Sequence, residues 1–201
     1  MLEEVLCTAY DNEESINDVS AENQQVEYIN TPTIDLNRCT FINCRFENCD
    51  LSGISMIDCK LVGCTFISCS FNKAYFRDTK ISECSASGCN FSGALFRRTV
   101  IDGGHYKYAN FNDCSFEETR IKSADMSESA FIQAKLKKTS FSEAILNKTD
   151  FLGTKLKGID LSDCQIGGIM LSDDLRELKG AKISTMQAAE LIRLLDIEVV
   201  I

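Results

Sequence analysis

The chain is short of several residue types that mark familiar classes of protein. Its 201 residues include no tryptophan, one proline and one histidine. That histidine, His105, belongs to no recognisable Cys–His or Ser–His–Asp arrangement, so we expect no catalytic site and no enzymatic activity. No run of about 18 apolar residues occurs, so we expect neither a transmembrane helix nor a membrane partner.

Positive charge is missing from the N-terminal segment. Residues 1–34 hold eight Asp and Glu but no Lys or Arg, so we expect no signal peptide, which would need a basic start. Eleven cysteines without a secretion signal favour a reducing compartment, and we expect a cytoplasmic protein. Residues 35–173 hold 17 acids and 17 bases. The net charge of −9 therefore comes almost entirely from the N-terminal segment.

What the sequence has in abundance is a repeat of five residues. Steps of five from Leu36 reach Leu171 without a change of phase, and all twelve phenylalanines fall on these 28 positions. We call each such position the centre of a pentapeptide. The residue two places before the centre is nearly always small, and ten of the eleven cysteines lie there. A period of five matches neither the 3.6 of a helix nor the 2 of a strand.

The pentapeptides "CTFIS", "CSFNK", "CNFSG" and "TDFLG" resemble those of the pentapeptide-repeat family, which is usually written A(D/N)LXX. The resemblance covers residues 36–173. It implies an all-β fold, a right-handed quadrilateral parallel β-helix with four pentapeptides in each coil. Twenty-eight centres then give seven coils, which stack about 4.8 Å apart.

The repeat divides the chain into three parts. Residues 1–33 are an acidic N-terminal cap or arm, and the sequence leaves open whether this part is folded or mobile. Residues 34–173 form the β-helix. Residues 174–201 form a small C-terminal helical module. Ser172, just before it, is the expected N-cap of a short helix. Ser184 and Gln187 form a capping box, which predicts a second helix that begins near residue 185.

With 20 residues in each coil, the side chains that stack along the rod can be written down. One column of centres predicts an aromatic ladder. It contains Leu51, Phe71, Phe91, Phe111, Phe131, Phe151 and Leu171. In another column Ala86 lies beneath Tyr106, and Gly104 leaves an inner position empty. We expect this to be the least regular part of the rod.

The repeat cysteines also stack in columns, such as Cys44, Cys64 and Cys84. A zinc or iron–sulfur site is one interpretation of these columns. The alternative is that they are small apolar filler, because Ala and Thr occupy the same position elsewhere in the repeat. We favour filler, and we expect no metal and no cofactor.

The C-terminal segment "LKGAKISTMQAAELIRLLDIEVVI" resembles the module through which Qnr-type pentapeptide-repeat proteins form homodimers. Its apolar stripe also exceeds what one coil mouth can bury. We therefore expect a homodimer. The interface residues that we expect are Ala188, Leu191, Ile192, Leu195, Ile197 and Val199.

The resemblance also implies a function. Qnr-type proteins bind DNA gyrase and topoisomerase IV as DNA mimics, and protect them from quinolones or toxins. Such a protein binds no nucleic acid itself. The acidic candidates for facing the partner lie on the face of the phenylalanine ladder, and they are Asp50, Asp113, Asp150 and Asp173. A face centred on Leu36 carries a lysine cluster instead, so a general interaction scaffold without a topoisomerase partner stays open as the alternative.

Overall fold

The computed structural model describes residues 1–192 and shows a parallel β-solenoid. Every strand pairing is parallel and joins a residue to the one 20 positions later, as Leu36 is joined to Met56. Four ladders therefore run along the solenoid, one for each pentapeptide of a 20-residue coil. The predicted stacking of pentapeptides in a β-solenoid is confirmed.

We name the four ladders sides A to D, in the order in which the chain visits them. Sides A and B contain seven strands each, and side C contains three. Beyond residue 67 on side C, and along all of side D, single β-bridges such as Asn90 to Asn110 replace the strands.

The strand bounds follow the same order. Side A consists of β1 (Ile16–Asn17), β4 (Asp35–Asn37), β7 (Ser55–Ile57), β10 (Tyr75–Arg77), β12 (Leu95–Arg97), β14 (Ser115–Glu117) and β16 (Lys135–Lys137). Side B consists of β2 (Ser20–Glu22), β5 (Thr40–Ile42), β8 (Lys60–Val62), β11 (Lys80–Ser82), β13 (Val100–Asp102), β15 (Arg120–Lys122) and β17 (Ser140–Ser142). Side C consists of β3 (Gln25–Glu27), β6 (Arg45–Glu47) and β9 (Thr65–Ile67).

The residue two places after each centre turns the chain from one side to the next. From residue 18 to residue 158 its φ is positive, for example 54° at Arg38 and 50° at Asn43. This left-handed conformation is uncommon for residues other than glycine, and glycine takes the same position at Gly53 and Gly63. One corner in every five residues explains why the sequence repeats with that period.

Two stacks of phenylalanine rings run through the interior. On side D the ring centroids of Phe71 and Phe91, and of Phe91 and Phe111, lie 4.9 Å apart, at interplanar angles of 3° and 11°. This confirms the aromatic ladder. A second stack lies on side A, where the centroids of Phe96 and Phe116 are 4.7 Å apart. The sequence analysis did not single out this second stack.

Cysteine and threonine make the same contact at the small inner position. The Sγ atom of Cys64 lies 3.4 Å from the carbonyl oxygen of Phe41, and Thr79 Oγ1 donates a hydrogen bond of 2.9 Å to the carbonyl of Met56. In both cases the acceptor is 23 residues earlier. All ten repeat cysteines are buried. This shared geometry explains why the two residue types replace each other, and it supports the interpretation as filler.

The first 33 residues form a helix and one further coil. Helix α1 (Leu2–Asp11) buries Leu2, Leu6 and Ala9 at the mouth of the solenoid. Residues 16–33 then pair with the next coil, beginning with Ile16 opposite Leu36. The solenoid thus begins at residue 16, one coil before the predicted boundary at residue 34. Of the two alternatives left open, this part is a folded cap.

The first coil is hard to recognise because it faces a helix on one side. Its centres are Ile16, Ala21, Val26 and Thr31. Its inner positions hold Val19, Gln24 and Ile29. With α1 instead of another coil below them, these side chains need not be small. The five-residue pattern is therefore lost although the backbone pairing continues.

The last coil departs from the ladder on two sides. Strands β16 and β17 are the final rungs of sides A and B. In residues 155–163, turn bonds such as the one from Ile159 N–H to the carbonyl of Leu156 (3.0 Å) replace the extended conformation. Leu161 N–H donates onward, as the centre Phe71 does to Asn90 in a regular coil, but its acceptor is the carbonyl of Lys182, at 2.9 Å, in the segment that covers this end.

Two short helical elements cover this end. They are a 3-10 turn (Arg176–Leu178) and helix α2 (Thr185–Ile192). The prediction that Ser172 is an N-cap is wrong, because its hydroxyl donates to Glu177 Oε2 at 2.7 Å and the turn begins later. The capping box is confirmed, since Ser184 N–H donates to Gln187 Oε1 at 2.7 Å and Gln187 N–H donates to Ser184 Oγ at 3.3 Å.

The irregular region lies just after side C loses its strands. Ala86 and Tyr106 are among the residues that line a cavity of about 10 Å³ in the interior of the solenoid. Within the described residues, the buried Tyr106 hydroxyl has no hydrogen-bond partner. A Cβ atom on Gly104 would lie 2.1 Å from the carbonyl oxygen of Cys84, so only glycine fits there.

Candidate interaction surfaces

Two of the four predicted acidic residues are tied into turns. Oδ1 of Asp50 accepts a hydrogen bond from Ser52 N–H at 3.0 Å, and Oδ1 of Asp150 accepts one from Leu152 N–H at 2.9 Å. Asparagines at the same position of the pentapeptide make the same bond. The bond stabilises the turn after the centre. These two half-buried carboxylates therefore have a structural role.

The other two acidic candidates are free to meet a partner. Asp113 and Asp173 are exposed, and neither forms an ion pair within residues 1–192. All four candidates lie on side D, but the structure spreads them along the solenoid instead of gathering them. Asp50 and Asp150 are five coils apart, or about 24 Å at the usual strand spacing.

The densest negative charge lies at the N-terminal end. We define the acidic end as α1 together with the first coil, residues 1–34, which carry eight acids and no base. A cavity of about 490 Å³ opens there. Its charged lining residues are Asp11, Glu13, Glu14 and Asp35. Within the described residues, none of these four takes part in an ion pair.

Side A carries ion pairs between residues 20 apart. Arg38 donates to Asp18 through Nε and Nη2, both at 2.7 Å, and Arg98 binds Asp78 in the same way at 2.6 Å. Hydrogen bonds from these guanidinium groups lower the pKa of Asp18 and of Asp78. Lys138 Nζ lies 2.9 Å from Glu118 Oε1. Exposed pairs of this kind add little to stability.

Positive charge collects where side A ends. A cavity of about 450 Å³ lies between the last coil and the 3-10 turn. Its charged lining residues are Lys155, Lys157, Arg176, Glu177 and Lys179. The Arg176 guanidinium is held by Asp174 at 3.0 Å. The three lysines form no ion pair within residues 1–192.

The one acid of this basic cavity is used internally. Glu177, which is 2% exposed, accepts hydrogen bonds from Gly153 N–H at 3.0 Å and from the Ser172 N–H and hydroxyl at 3.2 and 2.7 Å. Burial alone would raise the pKa of Glu177, but the bonds from Ser172 and Gly153 outweigh it and hold the pKa below the usual value. Glu177 thus joins the 3-10 turn to the last coil.

Helix α2 turns part of the predicted dimer stripe inward. Leu191 is buried, and the Gln187 amide donates to the carbonyls of Leu161 and Cys164 at 2.8 and 2.7 Å. Ala188 is half-buried, whereas Ile192 is exposed. The remaining predicted interface residues lie outside the described part of the chain. They are Leu195, Ile197 and Val199.

Among residues 1–192, no group of three or more His, Cys, Asp or Glu side chains is arranged to hold a metal ion. The thiols differ in how readily they ionise, since hydrogen bonds from the stacked thiols of Cys59 and Cys69 lower the pKa of Cys39 and of Cys49 to about 7. Burial raises the pKa of Cys114 to about 12 and that of Cys164 to about 12. In the same part of the chain, no helix has the length and apolar character needed to cross a membrane.

A family model described as a pentapeptide repeat region matches residues 34–111 and 104–183. The chain belongs to the pentapeptide-repeat family. It is a repeat scaffold, in which regular coils present four ladders of side chains to the surroundings. A search of curated protein sequences found no match.

Solved structures of pentapeptide-repeat proteins are similar to the chain over most of its length. A trypsin-treated variant of QnrB1, a plasmid-mediated fluoroquinolone resistance protein, is 22% identical, with 92% of this chain and 99% of that chain covered and a TM-score of 0.49. HetL from the cyanobacterium Nostoc sp. strain PCC 7120 is 14% identical, with 88% and 94% covered and a TM-score of 0.30.

The acidic cavity and the ion pairs of side A were not predicted from the sequence. The ion pairs left a signal, because opposite charges recur 20 residues apart at Asp18 and Arg38 and again at Asp78 and Arg98. The cavity left none, since it requires the first coil to be recognised.

Proposed function

We propose that this pentapeptide-repeat protein binds a type II DNA topoisomerase, gyrase or topoisomerase IV, at a surface that otherwise holds DNA. In this proposal the chain is a non-enzymatic rod, right-handed and four-sided, which protects the enzyme from quinolones or toxins. The proposal starts from the resemblance of the repeat and the C-terminal segment to Qnr-type members. The observation that carries it further is the acidic end.

The acidic end has the charge that a DNA-binding surface attracts. DNA carries about one negative charge per 1.7 Å of its axis, and proteins that bind it present Lys and Arg. Asp11, Glu13 and Glu14 lie together around one cavity with no base among its lining residues. Such a concave surface of one sign steers an oppositely charged partner toward it.

Side D contributes less to this proposal than the sequence analysis expected. Asp113 and Asp173 are exposed and unpaired within the described residues, so they extend the acidic surface along the rod. Asp50 and Asp150 each use one carboxylate oxygen to accept a hydrogen bond from a backbone N–H of a turn. We therefore place first contact at the acidic end and secondary contacts at Asp113 and Asp173.

The proposed homodimer, joined through residues 174–201, would lengthen the acidic rod. Leu191 is already buried within one chain, so it supports α2 instead of facing a partner. Ile192 and Met186, which are 38% and 83% exposed, are the apolar residues that α2 leaves for an interface. A two-fold contact would cover them in both copies at once.

The test is DNA supercoiling by purified gyrase in the presence of a quinolone, with increasing amounts of the protein. We expect the protein to restore supercoiling, and we expect the triple variant Asp11→Asn, Glu13→Gln, Glu14→Gln to lose most of that protection. The matched control neutralises three exposed acids elsewhere, Glu83→Gln, Glu128→Gln and Glu190→Gln. If wild type gives no protection, or if both triple variants protect equally, the proposed site is wrong.

The second candidate function is a general protein-interaction scaffold without a topoisomerase partner. The mixed charge of side A favours it, because a mimic of DNA has no use for a lysine-rich end. In the supercoiling assay this alternative corresponds to no effect of wild type at any concentration, together with normal gyrase activity.

A further inference from the structure

The outward charges of side A fall into two groups, those already paired and those left over. Paired charges occur from the first coil to β16, where Arg38 binds Asp18, Arg98 binds Asp78, and Lys137 and Lys138 bind Glu117 and Glu118. These residues satisfy each other within one chain.

The left-over charges have opposite signs at the two ends. Near the N-terminal end, Asp35 and Asp58 form no ion pair with any residue in 1–192, and near the C-terminal end the same holds for Lys135, Lys155 and Lys157. Each end also has a cavity of matching sign, the acidic one beside Asp35 and the basic one beside Lys155. Side A is therefore negative at one end and positive at the other.

One column of side A shows how such a surface could meet a copy of itself. The column is formed by the residues just before each centre. From the second coil onward it reads Asp35, Ser55, Tyr75, Leu95, Ser115 and Lys135, and Lys155 follows in the last coil, beyond the last strand of the ladder. Leu95, the apolar middle of the column, is half-buried, and Asp35 and Lys155 are six coils apart, about 29 Å at the usual spacing.

We propose that side A is an interface with a second copy of this chain, in which two solenoids lie side by side and antiparallel. A two-fold axis at the level of Leu95 brings Leu95 of one chain opposite Leu95 of the other. It also brings Asp35 of each chain opposite Lys155 of the other, and Ser55 opposite Lys135. The axis lies in the plane of contact and is perpendicular to the two solenoids. Each column of side A therefore faces the same column of the other chain. The contact is isologous, so by itself it closes as a dimer, and only together with a second two-fold contact through residues 174–201 would it link dimers into an open row.

The column two places after each centre is mixed. The same axis brings Asp58 opposite Lys138, which already binds Glu118 at 2.9 Å, and it brings Asp78 opposite Glu118, two acids that are each paired within their own chain. It also brings Arg98 opposite its own copy, but each Arg98 is already neutralised by Asp78 at 2.6 Å. The favourable contacts therefore lie toward the two ends of the side. The like charges that meet in the middle are each neutralised by an ion pair within their own chain.

The strength of this association is set by charge. Each chain has a net charge of −9, which opposes pairing at long range. The complementary contacts act at short range, and those among exposed charges are screened when the Debye length falls from about 10 Å at 0.1 M salt to about 3 Å at 1 M. The dimer should thus be favoured at moderate ionic strength and lost at high salt, unlike an apolar contact through the C-terminal residues.

The first experiment is sedimentation analysis of the full chain at 0.1 M and 1 M NaCl, with two charge reversals. Asp35→Lys places a lysine opposite Lys155, and Lys155→Asp places an aspartate opposite Asp35, so each variant alone should associate about tenfold more weakly. Mixed in equal amounts, the two variants restore both contacts of the heterodimer, which should again form as tightly as wild type. A monomeric wild type, or a mixture as weak as its components, overturns the proposal.

A second experiment locates the axis. In a Cys7→Ser background, which removes the half-buried thiol of α1, Leu95→Cys should be joined to its own copy by a short bismaleimide reagent, because the two residues meet at the axis. Val100→Cys, equally half-buried on side B, is the control and should not be joined. Equal crosslinking of both variants, or of neither, contradicts a two-fold contact through side A.

Discussion

The two ends of the solenoid are closed in opposite ways. At the N-terminal end α1 lays Leu2, Leu6 and Ala9 over the mouth, a closure made of apolar side chains. At the C-terminal end the closure is made by polar side chains. The Gln187 amide donates hydrogen bonds to two carbonyls, and the Glu177 carboxylate accepts hydrogen bonds from three donors. The first end is acidic outside, and the second carries both signs, with lysines around the basic cavity and the exposed acids Asp173 and Asp174.

The difference shows which groups each end must cover, apolar side chains at the first end and backbone carbonyls at the second. The first coil keeps its strands on sides A, B and C, so its ladder continues into the next coil and the open mouth needs mainly apolar cover. The last coil has turned away from the ladder, and its carbonyls at Leu161 and Cys164 would be buried without partners if Gln187 were absent. An unsatisfied buried polar group costs about 1–3 kcal/mol.

The largest effect should come from breaking the apolar closure. Leu6 is 1% exposed, and Leu6→Ala should lower the free energy of unfolding by about 3 kcal/mol, because a cavity is left beneath α1. Val5→Ala, on the exposed part of the same helix, is the control and should change little. Urea denaturation of both variants measures the difference, and equal values would mean that α1 does not seal the mouth.

Breaking the polar closure should cost somewhat less. Gln187→Ala leaves the carbonyls of Leu161 and Cys164 without their donor and should lower the free energy of unfolding by about 2 kcal/mol. Glu190→Ala changes an exposed residue of the same helix, so it controls for helix propensity. Should the two variants unfold at the same urea concentration, the amide does not hold α2 on the last coil.

A smaller effect, which depends on pH, is expected at Glu177. Its pKa in the folded protein is lowered, so the ionised carboxylate adds stability that is present above the unfolded pKa of about 4.3 and is lost as pH falls through the folded value. Glu177→Gln should therefore be less stable than wild type at pH 7, and the difference should shrink below about pH 4. A difference that is the same at pH 7 and pH 3.5 would contradict this linkage.

The smallest effect is chemical and leaves the fold intact. Cys7 is half-buried on α1, whereas Cys164 is buried in the last coil, where burial raises its pKa to about 12. A thiol reagent at pH 8 should modify one cysteine per folded chain quickly, and mass spectrometry should find the label on Cys7. Early labelling of Cys164 would show that the C-terminal end opens more readily than the N-terminal end.

Much of the coil could be predicted because its causes are local and repeated. Each pentapeptide needs a large centre such as Phe71, a small inner residue such as Cys69 and a corner residue that tolerates positive φ, and these needs recur every five residues. Asp50 shows the limit of that prediction. Its conspicuous charge suggested a binding role, but the hydrogen bond to Ser52 N–H explains its place in the repeat.

The sequence by itself determined the register of the solenoid from Leu36 to Leu171, the stacking of side D and the small inner positions, since every coil solves the same packing problem with the same residues. Only the tertiary structure decided how the ends close, where the ladder breaks and which charges stay unpaired. Those outcomes depend on single contacts between distant residues, such as Gln187 with Leu161 or Ile16 with Leu36, and a contact made once leaves no period in the sequence.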